Sequence, residues 1–336
     1  MIINMDLGKN SYDIVVERGC LHRADKLLRL DRKVLIITDS GVPKQYSQCI
    51  ASKCKEAFIV CVEQGESSKS FDTYKTLLSA LLHNGFTRTD CVIAVGGGVV
   101  GDLSGFVAAS FMRGIDFYNI PTTLLSQIDS SIGGKVAINF EGIKNIVGAF
   151  YQPKKVLIDP DVLRTLPQRQ ISNGLAEAIK MSLTSDSALF EVFEKNAIAQ
   201  NMDTIIVKSL CIKRDVVQQD EKETGLRKIL NFGHTIGHGI ESQAKTNGLY
   251  HGECVALGMI PMCSPSVKER LVPVLEKVQL PTQLHCDVNQ VCAAMRHDKK
   301  LDGSTLTVIT VPTPGSFEMR KISLDELEEI TKQSLN

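Results

Sequence analysis

Residues 174–259 combine one isolated carboxylate, Glu177, with His234, His238 and His251 in an otherwise apolar, helix-forming region. A carboxylate and two imidazoles around an open position are the ligands of a catalytic zinc ion, with water or substrate in the remaining place. His234 and His238 are four residues apart on a predicted helix, the separation that lets two imidazoles face one ion. This spacing favours that pair. Residue types alone leave open which two histidines bind, or whether all three are ordinary core and surface residues.

Basic residues accompany this cluster. Glu177 and Lys180 lie three residues apart on one predicted helix face, where an ion pair on the surface is the ordinary interpretation. Their neighbours at positions 175, 176, 178, 179 and 181 are apolar, which indicates burial instead. Further basic residues could hold a substrate with several anionic groups, unless they are simply scattered over the surface. They are Lys135, Lys144, Lys213, Arg227, Lys299 and Lys300.

A glycine-rich turn marks a second candidate site. The predicted strand over 91–95 runs into Gly-Gly-Gly-Val-Val-Gly-Asp at 96–102, which contains GxGxxG and precedes a predicted helix over 103–112. Such glycines let backbone N–H groups approach a pyrophosphate at a helix N-terminus, although a tight packing turn has the same pattern. The turn follows a late strand, and no acidic residue ends a further strand about 20 residues on. Asp39, at the end of an earlier strand, is therefore the candidate for the ribose.

A third candidate site is the segment Gly133-Gly134-Lys135, with serines at 130–131 before it and Lys144 after it. Two glycines before a lysine, with hydroxyl groups nearby, suit a phosphate or a carboxylate. The alternative is a solvated loop with ordinary surface lysines.

Composition narrows the class of protein. The 336 residues suit two domains, and a hydrophobic content of 43% suits a packed core. The 38 basic and 38 acidic residues cancel, so charge does not support a nucleic-acid or anionic-membrane partner. No apolar run approaches the ~20 residues of a membrane helix. None of the ten cysteines is in a CxxC pair, so we interpret them as buried thiols of a cytoplasmic protein.

The predicted secondary structure that must position these residues changes along the chain, from alternating strands and helices to mainly helices. Strand patterns over 2–7, 12–17, 33–38 and 57–62 alternate with helical patterns, which predicts a parallel sheet covered on both faces, with ligands beyond the carboxyl ends of its strands. The strand pattern ends at 155–158, and we place the domain boundary there. The predicted units are an α/β domain, 1–160, and a mainly helical domain, 161–336. Residues 305–311 and 317–321 predict a small hairpin or an extended arm near the C-terminus.

Taken together, the motifs resemble the 3-dehydroquinate synthase family, which belongs to the sugar phosphate cyclases. The resemblance extends from about Asp39 to Lys300. The segments that carry it are the glycine turn at 96–102, Pro-Thr-Thr-Leu-Leu-Ser-Gln-Ile-Asp-Ser-Ser-Ile-Gly-Gly-Lys at 121–135, Lys-Asn-Ile-Val-Gly-Ala-Phe at 144–150, Gly-Leu-Ala-Glu-Ala-Ile-Lys at 174–180, Leu-Asn-Phe-Gly-His-Thr-Ile-Gly-His at 230–238, and His-Gly-Glu-Cys-Val-Ala-Leu-Gly-Met at 251–259.

The resemblance implies a Rossmann-like NAD-binding domain followed by a helical domain that binds substrate and a divalent metal, zinc or cobalt. It implies Glu177, His234 and His251 as metal ligands, and it leaves His238 to contact substrate and move protons. The implied NAD-binding residues are Asp39, Glu66, Lys69, Gly97, Gly98, Asp102, Thr122, Thr123, Lys135, Lys144 and Thr165. The implied substrate-binding and catalytic residues are Asp129, Lys135, Asn145, Lys180, Lys213, Arg227, Asn231, His238 and one of Lys299 and Lys300, with Arg113 reaching a neighbouring subunit of a homodimer.

The implied activity is a carbon–oxygen lyase reaction of the shikimate pathway, in aromatic amino acid biosynthesis. 3-Deoxy-D-arabino-heptulosonate 7-phosphate becomes 3-dehydroquinate and phosphate, through transient oxidation by NAD, phosphate elimination, reduction and intramolecular aldol closure. One alternative is another sugar phosphate cyclase of the inosose or valiolone synthase type. Others are a metal-dependent polyol dehydrogenase of similar build and a regulatory relative with a decayed site.

Two departures from the family pattern concern local structure. Val136 and Ala137 follow Lys135 where the family usually has Thr-Gly, which predicts a slightly different loop. The chain after Met259 is about ten residues shorter than usual, and Pro261 and Pro265 predict a break in the helix there.

Overall fold

The computed structural model describes residues 1–243, 248–283, 287–296 and 305–335. The chain divides into two compact units, Met1–Leu166 and Pro167–Asn336. A short 3-10 helix, Pro160–Thr165, begins at the predicted boundary residue 160, and the first unit ends one residue after it, at Leu166.

The first unit is built on a seven-stranded sheet with the strand order β1-β2-β9-β6-β5-β3-β4. Strands β1 and β2 are antiparallel, and the other neighbouring pairs are parallel. The strands of the first unit are β1 Ile2–Met5, β2 Tyr12–Val16, β3 Lys33–Asp39, β4 Glu56–Val62, β5 Cys91–Gly96, β6 Asp116–Pro121, β7 Lys135–Phe140, β8 Ile143–Phe150 and β9 Lys155–Ile158.

The central strands β9, β6, β5 and β3 are buried along almost their whole length because both faces of the sheet are covered. Side chains of β3 alternate between two cores: Val34 and Ile36 pack in one, and Leu35 and Ile37 pack in the other. The helices that cover the sheet are α1 Ala24–Leu27, α2 Lys44–Ala51, α3 Phe71–His83 and α4 Gly98–Ser110. The predicted α/β class is therefore confirmed.

Two local predictions in this unit were incomplete. Helix α4 begins at Gly98, not at residue 103, because the glycine run itself forms the first helical turn after Gly97. The segment interpreted as a binding loop contains a π-helical turn, Ser126–Ser130, and the antiparallel hairpin β7–β8. The hairpin closes through Glu141 and Gly142, which both have positive φ (48° and 79°), as tight two-residue hairpin turns require.

The second unit is mainly helical. Its helices are α5 Gln168–Ser185, α6 Ser187–Glu194, α7 Ile198–Gln219, α8 His234–Glu241, α9 His251–Met259, α10 Pro265–Lys277, α11 Val288–Met295 and α12 Leu324–Leu335. Strands β10 Thr305–Thr310 and β11 Glu318–Ser323 pair antiparallel, so the hairpin alternative is confirmed over the extended arm.

The predicted helix break after Met259 is present. Helix α9 gives way to a 3-10 turn, Ile260–Met262, and a new helix starts at Pro265 with Ser264 as its N-cap. Cys263 lies in the break and pairs with Val311 in an isolated parallel bridge. The shortened segment is thus folded around its two prolines.

None of the described cysteines forms a disulfide, and most are buried or partly buried. Cys61 is exposed, so the interpretation of every cysteine as a buried thiol was wrong at this position. Cys286 lies outside the described residues. Among the helices that the structure describes, none combines the length and apolarity of a membrane span.

Candidate active site

Helix α5 carries the carboxylate of the candidate site. Glu177 and Lys180 are 0% and 1% exposed, and every α5 residue from Ser172 to Thr184 is buried. The Lys180 ammonium is in ion-pair contact with Glu177 Oε2 and donates to the carbonyl oxygen of Leu230 at 2.7 Å. The pair is therefore buried, as the apolar neighbours indicated, and is not a surface ion pair.

Glycines let three helices approach at backbone distance around Glu177. A Cβ on Gly258 of α9 would lie 2.1 Å from the carbonyl oxygen of Gly233, just before α8. A Cβ on Gly252 of α9 would lie 2.1 Å from the carbonyl oxygen of Asn173 on α5. No larger side chain fits at either contact. The close approach brings the first residues of α8 and α9, His234 and His251, to Glu177.

The three side chains form a compact donor set. Glu177 Oε1 lies 3.5 Å from the Nε2 of His234 and 3.5 Å from the Nε2 of His251. Two ligand atoms bound at about 2.0–2.1 Å to one tetrahedral ion would lie roughly 3.3 Å apart. Among the described residues, neither Glu177 oxygen has a partner at hydrogen-bond geometry. Lys180 is in ion-pair contact with Oε2, whereas Oε1 faces two imidazole nitrogens, so the set fits a divalent cation.

The other ring nitrogen of each of these histidines has its own partner. His234 Nδ1 lies 3.0 Å from the carbonyl oxygen of Phe232, and His251 Nδ1 lies 3.1 Å from Glu241 Oε2. Such contacts orient metal-binding imidazoles and select their tautomer. Both imidazoles thus present Nε2 to Glu177. Sequence reasoning missed Glu241, although its position one turn after His238 was an available signal.

His238 has a different environment from His234. Its ring is exposed and meets the His234 ring edge-on, with centroids 5.4 Å apart. It groups with Glu241 and His251 and not with Glu177. The pair favoured by helical spacing, His234 and His238, is therefore split between two groups of side chains.

Electrostatics around the donor set favour positive charge. Burial opposes ionisation of Glu177, but the Lys180 ammonium and His251 hold the pKa of this carboxyl well below its usual range. Burial likewise opposes a proton on His251, but contacts with Glu177 and Glu241 raise the pKa of this imidazole to about 10. The negative potential that stabilises a proton on His251 would also favour a metal cation between Glu177, His234 and His251.

Other predicted substrate-binding residues lie in the same unit. Lys213 on α7 and Arg227 are buried, at 6% and 2% exposed. Arg227 and Asn231 lie on a 3-10 turn, Leu226–Asn231, which leads into α8. Asn231 Nδ2 donates to Glu223 Oε1 at 2.7 Å. Lys299 and Lys300 lie outside the described residues.

Asp220 organises the loop that carries Arg227. Its carboxylate accepts hydrogen bonds from the backbone N–H of Thr224, Gly225 and Arg227 at 2.7–2.9 Å. Burial opposes ionisation, but these N–H groups lower the pKa of Asp220 to about 2. Sequence reasoning missed this residue, because an acidic residue at the end of a helix has no spacing that reveals which loop it binds.

In the first unit, predicted NAD-binding residues follow the carboxyl ends of neighbouring strands. Gly97 and Gly98 follow β5 and begin α4, whose N-cap has no side-chain hydrogen bond. Thr122 and Thr123 follow β6. Free N–H groups at the start of a helix fit a pyrophosphate. Asp39 ends β3, and burial raises the pKa of its carboxyl.

A polar network connects further predicted residues of this unit. The Lys69 ammonium, 3% exposed, lies 2.7 Å from Asp102 Oδ2, 3.8 Å from Glu66 Oε1 and in contact with Asn145 Oδ1. Asn139, which sequence reasoning missed, donates to Glu66 Oε1 at 2.9 Å and accepts from the Asn145 backbone N–H at 2.9 Å. The network joins residues assigned to NAD with Asn145, which was assigned to substrate.

The remaining predicted residues are more open. Asp129 lies half-buried on the π-helical turn, and Lys135 and Lys144 are exposed on the β7–β8 hairpin. Arg113 is exposed and has a positive φ of 68°. Thr165 Oγ1 lies 2.9 Å from the Tyr46 hydroxyl.

Comparison with known proteins agrees with these observations. Residues 59–173 match the model of the 3-dehydroquinate synthase N-terminal family, and residues 174–301 match the model of the C-terminal family. A 3-dehydroquinate synthase of Streptococcus suis is 40% identical over 351 aligned residues, covering 98% of this chain and 99% of the relative.

Two solved structures share the fold over nearly the whole chain. A 2-deoxy-scyllo-inosose synthase complexed with carbaglucose-6-phosphate, NAD+ and Co2+ has a TM-score of 0.90 and 25% identity, covering 100% of both chains. A 2-epi-5-epi-valiolone synthase from Streptomyces hygroscopicus, with NAD+ and Zn2+ bound, has a TM-score of 0.87 and 27% identity, covering 98% of both. The chain belongs to the 3-dehydroquinate synthase family and is an enzyme of the sugar phosphate cyclase type.

Proposed function

We propose that the chain is a 3-dehydroquinate synthase, a lyase that converts 3-deoxy-D-arabino-heptulosonate 7-phosphate to 3-dehydroquinate and phosphate in the shikimate pathway. The observation that carries the proposal is the buried carboxylate of Glu177 with two imidazole Nε2 atoms at 3.5 Å. Full-length identity of 40% to a relative of that name supports the same substrate.

Zinc or cobalt would be held by Glu177, His234 and His251. NAD would be held by residues of the first unit: Asp39, Glu66, Lys69, Gly97, Gly98, Asp102, Thr122, Thr123, Lys135, Lys144 and Thr165. When bound, NAD supplies a reversible hydride acceptor and the metal supplies Lewis acidity. The start of α4, which no side chain caps, and Glu177 Oε1, which faces two imidazoles, support these assignments.

The substrate has a carboxylate at one end and a phosphate at the other. Buried cations can bind such groups strongly because little water competes with them. Lys180, Lys213 and Arg227 would therefore fix the orientation of the substrate, with Asn231 supplying an amide. His238, exposed and outside the Glu177 donor set, would accept and return a proton on its imidazole. Asp129, Lys135, Asn145 and Lys300 complete the proposed substrate set.

The proposal includes a homodimer located in the cytoplasm. Strand β8 carries exposed apolar side chains, among them Ile143, Ile146 and Phe150 at 47%, 43% and 47%. Exposed apolar side chains grouped on one strand are typical of an interaction surface. Arg113 would then contribute to the site of the neighbouring subunit.

A different sugar phosphate cyclase is the main alternative, since the two solved structures above share the fold. Those enzymes are only 25% and 27% identical to this chain. The buried arginine, Arg227, favours a substrate with a carboxylate, because a guanidinium matches a carboxylate in geometry and charge.

The test is an assay of purified protein with the heptulosonate phosphate, catalytic NAD and zinc. We expect dehydroquinate and phosphate in equal amounts, without net NADH. Accumulation of one NADH for each substrate molecule consumed would indicate a polyol dehydrogenase and would contradict the proposal. Turnover of a sugar phosphate that lacks the carboxylate, with no reaction of the heptulosonate, would assign the chain to another cyclase.

A further inference from the structure

Helix α5 presents three polar residues, each one turn after the last, to the first turn of α9. Arg169 contacts Glu253, Asn173 contacts Gly252, and Glu177 faces His251. The contacts run in opposite directions along the two helices. Each contact is one turn further along α5, from Arg169 to Glu177, and one residue further back along α9, from Glu253 to His251. The proposed metal ligands Glu177 and His251 form the last of the three contacts.

Arg169 makes a two-point contact. Its Nε lies 2.7 Å from Glu253 Oε1, and its Nη2 lies 2.8 Å from Glu253 Oε2. Nη2 also donates to the carbonyl oxygen of Gly248 at 2.7 Å, and the guanidinium lies 4.1 Å from the centroid of the Tyr250 ring. Glu253 in turn accepts from the Tyr250 backbone N–H at 2.7 Å. Arg169 thus secures both the first turn of α9 and the residues just before it.

Asn173 makes the second contact. Its Oδ1 accepts the Gly252 backbone N–H at 2.6 Å, and the residue is 6% exposed. That N–H belongs to the first turn of a helix and has no partner within the helix. Gly252 already lies against the Asn173 backbone, so the contact leaves α9 little room to slide or tilt.

We propose that Arg169 and Asn173 are positioning residues that set the separation of Glu177 and His251 for a divalent cation. The inference rests on the proposed metal site. Metal affinity depends on ligand atoms being preplaced, and residues that orient ligands typically contribute 10–100-fold to it. His251 begins α9, so a change in where α9 meets α5 moves its imidazole directly.

The chain contains a matched control for the arginine contact. Arg270 on α10 contacts Glu194 with the same two bonds, at 2.7 Å and 2.8 Å, and lies 5.5 Å from the centroid of the Phe190 ring. Neither Arg270 nor Glu194 adjoins a proposed ligand. Replacing Arg270 removes an ion pair of the same geometry and a longer aromatic contact without touching the donor set.

The test measures Co2+ affinity of the full chain by competition with a chromophoric chelator, together with the urea midpoint of each variant. We expect Arg169→Lys and Asn173→Ala each to weaken Co2+ binding by about 10-fold or more, with weaker visible absorption from a distorted site. Lysine cannot reproduce the two-point contact. Arg270→Lys should leave Co2+ affinity within about twofold of wild type. Asn173→Asp keeps the acceptor oxygen and should restore most of the affinity lost in Asn173→Ala.

The outcomes separate two failures. Normal Co2+ binding by wild type and by both folded variants would overturn this inference alone, as would an equal loss in Arg270→Lys. Failure of wild type to bind Co2+ would overturn the proposed metal site and the inference with it.

Discussion

The candidate sites of the two units differ in how their buried charges are satisfied. In the first unit, the Lys69 ammonium is enclosed by Asp102, Glu66 and Asn145. In the second, Glu177 is 0% exposed, and neither of its oxygens has a hydrogen-bond partner in the part of the chain that the structure describes. The first set of polar groups is thus satisfied by the protein alone. In the second, Lys180 pairs with Oε2 of Glu177 and Oε1 faces two imidazoles, so the proposed cation would complete the set. A ligand that binds the folded state stabilises it, so the second site should respond more to its ligand.

The largest effect should follow from Glu177→Gln. The amide keeps the shape of the side chain but removes the charge that balances a cation, so bound zinc should fall from one per chain to nearly none. Turnover should drop by roughly 10³-fold or more, since a Lewis acid contributes several kcal/mol to such reactions. Metal analysis and the dehydroquinate assay measure both. Asp102→Asn is the control in the first unit and should retain its zinc. A Glu177→Gln protein with full zinc would show that the charge of Glu177 is not what makes the second site depend on a cation.

The two α8 histidines should separate metal binding from turnover. His234→Ala should lose the metal because its Nε2 is one of two nitrogens at 3.5 Å from Glu177. His238→Ala should keep the metal and lose most turnover, typically 10²–10⁴-fold for a group that transfers protons. Metal content per chain and initial rates decide the matter. Equal loss of metal in both variants would show that the donor set is assigned wrongly.

Lys69→Met should affect stability before any ligand is added. It leaves the partly buried carboxylate of Asp102, 22% exposed, without its ion-pair partner, which costs about 1–3 kcal/mol. Urea unfolding without NAD measures this loss, and zinc content should stay unchanged. The control is Lys75→Met, an exposed site on α3 where a change within about 0.5 kcal/mol is expected. An undiminished urea midpoint in Lys69→Met would mean that the first site is not satisfied internally.

Glu241→Gln should weaken zinc binding by about 10–100-fold without abolishing it. Its carboxylate meets His251 Nδ1 at 3.1 Å and makes the imidazole a better ligand. Chelator competition measures the affinity, and Glu241→Asp serves as the conservative variant with a shorter reach. A Glu241→Gln protein with wild-type affinity would show that His251 is oriented by the α5–α9 contacts alone.

The smallest effect concerns Asp220 and pH. Because its folded pKa is lowered to about 2, its contribution to stability is present above an unfolded pKa of about 3.9 and disappears as pH falls toward 2. The difference in unfolding free energy between wild type and Asp220→Asn should therefore be full at pH 6 and shrink between pH 4 and pH 2. Asp25→Asn, at an exposed position, is the control for the effect of the substitution itself. A constant Asp220 difference across this range would contradict the expectation.

Several features were predictable because they depend on local pattern. Strand β3 contains an unbroken apolar run whose side chains alternate in direction, so Val34 and Leu35 enter opposite cores. Such a run is typical of a central strand in a parallel sheet covered on both faces. Pro261 and Pro265 end one helix and begin the next because proline lacks the donor that a helix interior needs. The hairpin β7–β8 was missed because the lysines and glycines around it were interpreted as a binding loop.

The sequence by itself determined the types of residue at the candidate site and the family to which the chain belongs. Only the tertiary structure decided which side chains meet. Helical spacing favours His234 with His238, because it reports one helix in isolation. The distance to Glu177 depends instead on where α5, α8 and α9 touch. Those contacts lie at Gly252 and Gly258, where the absence of a side chain lets the backbones of neighbouring helices approach closely. Residue spacing within one helix carries no information about such contacts. The partners of the site, Glu241 and Arg169, follow from the same contacts.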